Sequence, residues 1–594
     1  MAKLAALIME RRHAARFENL KTRLLGVMTL NAARNAEERS YAGRESLCYL
    51  IRVGPDPVNT AGQPIDSHGW KGVLCGYFFS DSRGALLDEL ALKGPAALAN
   101  GDGVFAWARW HAQLETLEAG VDKLGIRPLH WAKIQGGYVV ASDLKAVIAV
   151  QEEPRPNFTA WEERLAFGYP LEDHTLVEGV TRFAEAEVIS FSATRHRSGR
   201  YEHFLDSIEL KSYDLNDFLN EQQTLFSQAM GRLTSLYDAP ANTMLTLSGG
   251  DDSRRILAWL LDHDIRPEVF TVPEVLPDGT EYESGIVSRL CRLAGLRGWK
   301  VYPRTAEDRA LVRQCRNLLA DYQSDDHLFC ATLALALKRC KKSNFDGIGG
   351  DVALAALYVK PQYLEQDGDE AFLRDYLPAA PNGLLPNVRV DRLREKCLRL
   401  LRTHDTPNRF SYFILRQRTR RKISLATHAY QADTMESLCP YLDRQVLRQA
   451  LSLHPREKIG TRLQARLLDG FTHNFAGVPT THTAPAELAA EYTHRFPPIE
   501  RCEEKALLRE VIASSSRIAR WRVRPVQKAR FLAALVLGAQ LGEGWLYWET
   551  DKANRVQQLA RFNQAIESSD HYVENVLALG PMLGSRRDFL TQIE

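Results

Sequence analysis

The chain has nine cysteines in 594 residues and no C-x-x-C pair among them. That scatter excludes a zinc ribbon or a thioredoxin-type motif, and the odd count argues against a disulfide frame and for a reducing, cytoplasmic setting. Long apolar runs are missing too. Phe531 to Leu541 is apolar but too short to span a bilayer and reads as a buried helix. Arg and His interrupt the first sixteen residues, so no secretory signal core is expected there. Charge of one sign is also absent: 76 Lys and Arg face 74 Asp and Glu, a net charge of +2 that gives no global pull toward nucleic acid or an anionic membrane. The Walker loop G-x-x-x-x-G-K-[ST] does not occur. Neither an internal repeat nor a low-complexity tract is evident. A hydrophobic content of 45% over this length is ample for two or more cored domains.

The segment Ser248-Gly249-Gly250-Asp251-Asp252-Ser253 follows the apolar Met244-Leu245-Thr246-Leu247 and precedes the helix-like Arg254 to Leu261. A strand, a Ser/Gly turn and a helix start form an anion cradle. Its glycines admit backbone N–H groups to phosphate oxygens, its serines add hydroxyls, and the helix dipole favours negative charge. A carboxylate beside a polyphosphate, here Asp252, is tolerable when Mg²⁺ lies between them. The plainer alternative is a surface turn with an N-cap. A second glycine segment, Asp346-Gly347-Ile348-Gly349-Gly350-Asp351, leads into apolar Val352 to Leu357. Gly349 and Gly350 permit close backbone approach, and Asp351 is placed to be a second carboxylate on the metal. Between the two, Val269 to Val272 reads as a strand and Ser284 to Ala294 as a helix, so the pattern predicts a doubly wound α/β domain with its ligands at the carboxyl ends of the strands.

The first loop is a pyrophosphatase-loop signature, and through it the chain resembles the asparagine synthetase family. The resemblance implies ATP cleavage between the α and β phosphates, an acyl-adenylate, and Mg²⁺ shared by Asp252 and Asp351. It implies that Leu247 and Val272 hold adenine through their backbone. Departures are visible: Ile348 and Val352 replace acids of the second loop, and Leu438 in Met435 to Asp443 replaces an Arg, which argues for a different acid substrate. The family's transition-state Lys aligns with Arg462, with Lys458 just upstream, and either cation is suited to neutralise developing charge. In the basic run Arg416 to Lys422, Lys422 or Arg421 is a candidate for phosphate contact, against a solvated face. Tyr322 to His327 offers substrate contact or an N-cap, and Arg517 to Arg524 an acidic-peptide contact or an exposed helix end.

In the amino-terminal third, Gly101 to Ala108, Gly125 to Trp131 and Gly137 to Ala146 resemble the glutaminase domain fused to that synthetase, an Ntn-type β-sandwich with helices. The resemblance divides the chain at 1–205 and 206–594, the latter ending in a helical region. A glutaminase of this class needs a Cys directly after the initiator Met, and residue 2 is Ala. The expectation is a degenerate glutaminase-like domain and an amine already carried by the substrate, as in beta-lactam synthetases and lasso peptide macrolactam synthetases. The leading expectation is therefore an ATP- and Mg²⁺-dependent ligase that closes an amide ring within a peptide, served by a substrate-delivering protease or leader-binding protein. Two alternatives stand beside it: an intermolecular amidotransferase using ammonia or a small amine in polysaccharide or antibiotic biosynthesis, and a non-catalytic scaffold.

Overall fold

A computed structural model describes residues 2–495 apart from 30–35, 55–64, 80–82, several positions between 153 and 168, 237–242, 274–279, 302–342, 356–357, 377–389, 425–426, 428–434, 461, 476 and 483–491. The expectations for Tyr322 to His327, the helical carboxyl-terminal region, Arg517 to Arg524 and Phe531 to Leu541 lie outside the described residues.

The amino-terminal region contains β1 (Lys3–Glu10), β2 (Ala36–Ala42), β3 (Ser46–Val53), β4 (Ile65–Ser67), β5 (Trp70–Phe78), β6 (Gly103–His111), β7 (Thr116–Val121), β8 (His130–Ile134), β9 (Gly137–Ala141), β10 (Val180–Arg182), β11 (Glu187–Phe191) and β12 (His196–Arg200). They form two six-stranded sheets, ordered β10-β8-β9-β1-β3-β2 and β12-β11-β7-β6-β5-β4. Strand residues alternate between faces. In β1, Leu4, Ala6 and Ile8 meet the second sheet in a shared core, whereas Ala5, Leu7 and Met9 meet the helix Ala14–Met28. The helix Arg83–Lys93 lies on the outer side of the second sheet, where Leu86 and Leu90 pack with Trp70, Leu74 and Phe78. Both faces of the central strands are covered. Accordingly β1 and β5 are nearly continuous apolar runs.

After the helix Leu215–Leu236 come β13 (Thr243–Thr246), β14 (Glu268–Thr271), β15 (Thr280–Glu281), β16 (Lys300–Val301), β17 (Ser343–Phe345), β18 (Glu436–Leu438) and β19 (His494–Arg495). Five of them make one sheet, β16-β14-β13-β17-β18, in which every pair is parallel. The chain proceeds from β13 outward through β14 to β16 and then crosses to the other side of β13 as β17. The reversal opens a crevice at the carboxyl ends of β13 and β17, the place where open α/β sheets take ligands. One apolar core joins this sheet to the sandwich: Leu245, Leu247, Phe345 and Leu438 share it with Tyr77, Phe79, Leu124 and Ile126.

Candidate functional site

Both glycine segments lie at that reversal. Ser248–Gly250 leaves β13 and ends at Gly250, the N-cap of the helix Asp251–Asp262. The turn is held by its own hydroxyls: Ser253 Oγ accepts from the Ser248 N–H at 3.1 Å, and Ser248 Oγ accepts from the Gly250 N–H at 3.2 Å. The Gly249 N–H donates to Glu283 Oε1 at 3.2 Å. Outside the turn, the Thr481 N–H donates to the Gly249 carbonyl at 3.2 Å, and Arg254 donates to the Val478 and Pro479 carbonyls at 2.7 and 2.8 Å. A strap from Val478 to Thr481 thereby packs against the first loop.

The second segment leaves β17 and turns at Gly349, whose φ of 93° is a left-handed conformation that glycine adopts without strain. Gly350 then opens the short helix Gly350–Ala353 directly against Asp252: a Cβ on Gly350 would lie 2.4 Å from Asp252 Oδ1. Asp252 is half-buried, and its carboxyl is pushed well above the usual range, by burial first and then by the charges of Asp351 and Asp251. The charges of Asp351 and Asp251 thus both act on Asp252. Asp252 and Asp351 are the candidates for a hard divalent cation, because Mg²⁺ is commonly held by one or two carboxylates with phosphate oxygens and water filling the other positions. Among the described residues, no group of three or more His, Cys, Asp or Glu forms a fuller metal cage.

Leu247 and Val272 are buried at the carboxyl ends of the adjacent strands β13 and β14, and the Leu247 N–H donates to the Phe270 carbonyl at 2.8 Å. The two cation candidates differ in their surroundings. Arg462 is exposed on the outer side of the helix Arg462–Leu468. Lys458 is fully buried, with its ammonium donating to Asn408 Oδ1 at 3.2 Å and the Ala450 carbonyl at 2.9 Å; burial lowers its pKa to about 7. Neither Asn408 nor Ala450 belongs to a glycine loop. The residue that reaches the carboxylate is Gln464, whose Nε2 donates to Asp252 Oδ1 at 2.5 Å. Its signal in the sequence is a lone polar side chain in the buried stripe Leu463, Gln464, Leu467, Leu468. Tyr441, also missed, donates its hydroxyl to the Asp252 carbonyl at 3.0 Å.

The basic run is not a solvated face. It forms Ile414–Ile423, a stretch of π-helix buried against the sandwich, where Arg416 pairs with Glu185 at 2.9 Å and Arg420 with Asp173 at 2.9 Å. Arg421 donates to the Pro170 carbonyl at 3.0 Å, and Lys422 is buried in the same helix. These side chains glue two regions together. Leu438 lies in the core on β18, which accounts locally for the apolar residue there, and its carbonyl accepts from the Asp346 N–H at 2.9 Å.

Comparison with known proteins adds a class. Residues 79–202, from β6 to β12, match the model of a glutamine amidotransferase domain. More particularly, 164 residues are 28% identical to asparagine synthetase [glutamine-hydrolyzing] 3 of Bacillus subtilis, covering 27% of this chain and 26% of that protein. The chain thus spans about a quarter of the length of that relative. Two solved structures are similar at 10% identity: the allosteric regulatory enzyme of purine biosynthesis (51% of this chain, 80% of that one, TM-score 0.23) and glutamine phosphoribosylpyrophosphate amidotransferase from B. subtilis (55% and 94%, TM-score 0.25). Scores this low carry no weight for function. Among the described residues no helix is long and apolar enough to cross a membrane.

Proposed function

We propose that the protein is an ATP-dependent carboxylate–amine ligase that activates a carboxyl group as an acyl-adenylate, releases pyrophosphate and forms an amide. The reading is carried by one observation: the loops after β13 and β17 meet at the sheet reversal with Asp252 against Gly350 and beside Asp351. In this reading the triphosphate is received at the first loop and the start of the helix Asp251–Asp262, where it would displace the bonds that the Ser248, Gly249 and Gly250 N–H groups make to Ser253, Glu283 and Ser248, and the backbone of Leu247 and Val272 borders adenine. Asp252 and Asp351 would hold Mg²⁺, which supplies charge neutralisation at the phosphates when bound. Tyr441 and Gln464 fix the two ends of Asp252, its carbonyl and its carboxylate.

The amine, in our reading, is already part of the acid substrate, and the product is a ring closed within a peptide. The sandwich supports this through its cysteines. Cys48 and Cys75 are buried within β3 and β5, inside the chain, and present no N-terminal amine to act as the base that a glutaminase of this class uses. A tethered amine turns an encounter into a unimolecular step, worth up to several kcal/mol. Release of pyrophosphate from ATP with amine-bearing peptide acids, compared between wild type and Asp252→Asn, tests the ligase. Release that is equal and negligible in both proteins across all acids favours the scaffold alternative.

A further inference from the structure

We propose that the seam between the sandwich and the parallel-sheet region binds a compact inorganic anion on the guanidinium groups of Arg182, Arg420 and Arg421. All three side chains are buried, at 0%, 3% and 1% exposure. Arg182 ends β10, while Arg420 and Arg421 lie on Ile414–Ile423, so the cluster draws one part from each region. Arg182 donates one nitrogen, Nη2, to the carbonyls of Gly125 at 3.2 Å and Arg420 at 2.9 Å, and its Nε and Nη1 meet no acceptor. Arg420 reaches Asp173 and the Phe183 carbonyl through Nη2, and its Nε has none. Arg421 reaches the Pro170 and His174 carbonyls, and its Nη1 has none.

Carbonyls satisfy N–H groups but do not neutralise charge. Among the described residues, Asp173 is the one carboxylate ion-paired with any of the three arginines. Asp122 bears on Arg182 and Glu163 on Arg421 through longer-range charge, while their bonds go to other groups. Asp122 accepts from the backbone N–H groups of Leu124, Ile126 and Arg127, and Glu163 accepts from Lys396 and from the Leu171 N–H. The three guanidiniums repel one another, and Arg182 is shifted down by burial and then by Arg421 and Arg420. His130, also facing the cluster, is held neutral, its pKa lowered to about 3 by burial and then by Arg182 and Arg421. Arginine does not escape by losing its proton. A buried guanidinium N–H without an acceptor is strongly unfavourable, so these four N–H groups, on three guanidiniums of which one is ion-paired among the described residues, call for an anion. An ion there would tie the regions together without entering the glycine-loop site.

The test uses the full-length protein melted in sodium gluconate, with sodium chloride or sodium phosphate substituted at constant ionic strength. The melting temperature is expected to rise by roughly 2 °C per tenfold increase of the binding anion above its Kd. Arg182→Gln, and independently Arg421→Gln should the first not fold, is expected to abolish the dependence. Response to chloride alone assigns a halide site and response to phosphate alone an oxyanion site. Bromide soaked into wild-type crystals is expected to give anomalous density at Arg182 and Arg421 in the halide case. Wild-type melting indifferent to both anions, or a slope unchanged in the variants, overturns the proposal.

Discussion

Asp252 concentrates the conflict in the site, because its carboxylate sits in a half-buried place with two other acids bearing on it. Its folded-state pKa stands above its unfolded one. The folded state therefore binds the extra proton, and this residue's contribution to stability is greatest below the unfolded pKa and declines as pH rises through the folded value. A divalent cation relieves the same repulsion. Melting followed against pH with and without MgCl2 is expected to show stabilisation by Mg²⁺ that grows with pH in wild type and is absent in Asp252→Asn. The same substitution is expected to reduce pyrophosphate release on the order of 10²–10³-fold, the range typical of removing a group that stabilises transition-state charge. Lys458 carries the opposite sign. Its pKa falls from 10.5 to about 7 on folding, so the unfolded chain binds more protons and stability rises from about pH 7 toward pH 10.5. Lys458→Met is expected to flatten that rise in melting experiments at pH 7 and 9 while leaving pyrophosphate release at the wild-type level. A collapse of activity with melting unchanged would return Lys458 to the active site.

At the scale of elements, the two glycine loops work as a pair, and their contact is closest at Gly350. A methyl group there would stand 2.4 Å from Asp252 Oδ1, so either the carboxylate or the short helix must move. Misplacement of about 1 Å can cost on the order of 10²-fold in rate. Gly350→Ala is accordingly expected to lower pyrophosphate release by about that factor, and a kinetic comparison with wild type checks it. The strand, turn and helix around Ser248 were legible in the sequence because their signals are local: an apolar run, two glycines, an amphipathic continuation. The parallel neighbour was legible for the same reason, within one residue of β14. The inward polar residue of the helix Arg462–Leu468 was not. An alignment by spacing selected Arg462, but helix phase turns that residue outward and brings Gln464 inward, and phase is fixed by the packing of Leu463 and Leu467. The run Arg416 to Lys422 misled for a related reason: charge density suggests solvent, whereas its partners Asp173, Glu185 and the carbonyls of Pro170 and His174 lie more than two hundred residues away.

At the scale of the whole molecule, one segment joins the sandwich to the glycine loops. From the sandwich, Arg127 pairs with Glu436, Tyr77 Oη accepts from the Cys439 N–H at 2.8 Å, Lys123 donates to the Leu442 carbonyl at 2.8 Å, and Asp102 accepts from the Arg444 N–H at 2.6 Å. On its other side the segment touches the site: Leu438 holds Asp346, the Leu442 side chain packs against Gly349, and Tyr441 holds the Asp252 carbonyl. The glutamine-amidotransferase-like region is thus a buttress for the loops of the neighbouring sheet. Lys123→Met tests this, because the lysine lies outside both loops yet bonds Asp102 at 2.5 Å and Leu442 together. Its removal leaves the buried Leu442 carbonyl without that donor, which is expected to cost about 1–3 kcal/mol in denaturant unfolding. If the segment positions the loops, the KM for ATP in pyrophosphate release rises as well, and Lys123→Arg, which keeps the charge and a donor, recovers part of it. Equal loss of stability with unchanged ATP kinetics would reduce the sandwich to a packing partner, since a prop that moves without disturbing what it supports is not holding it.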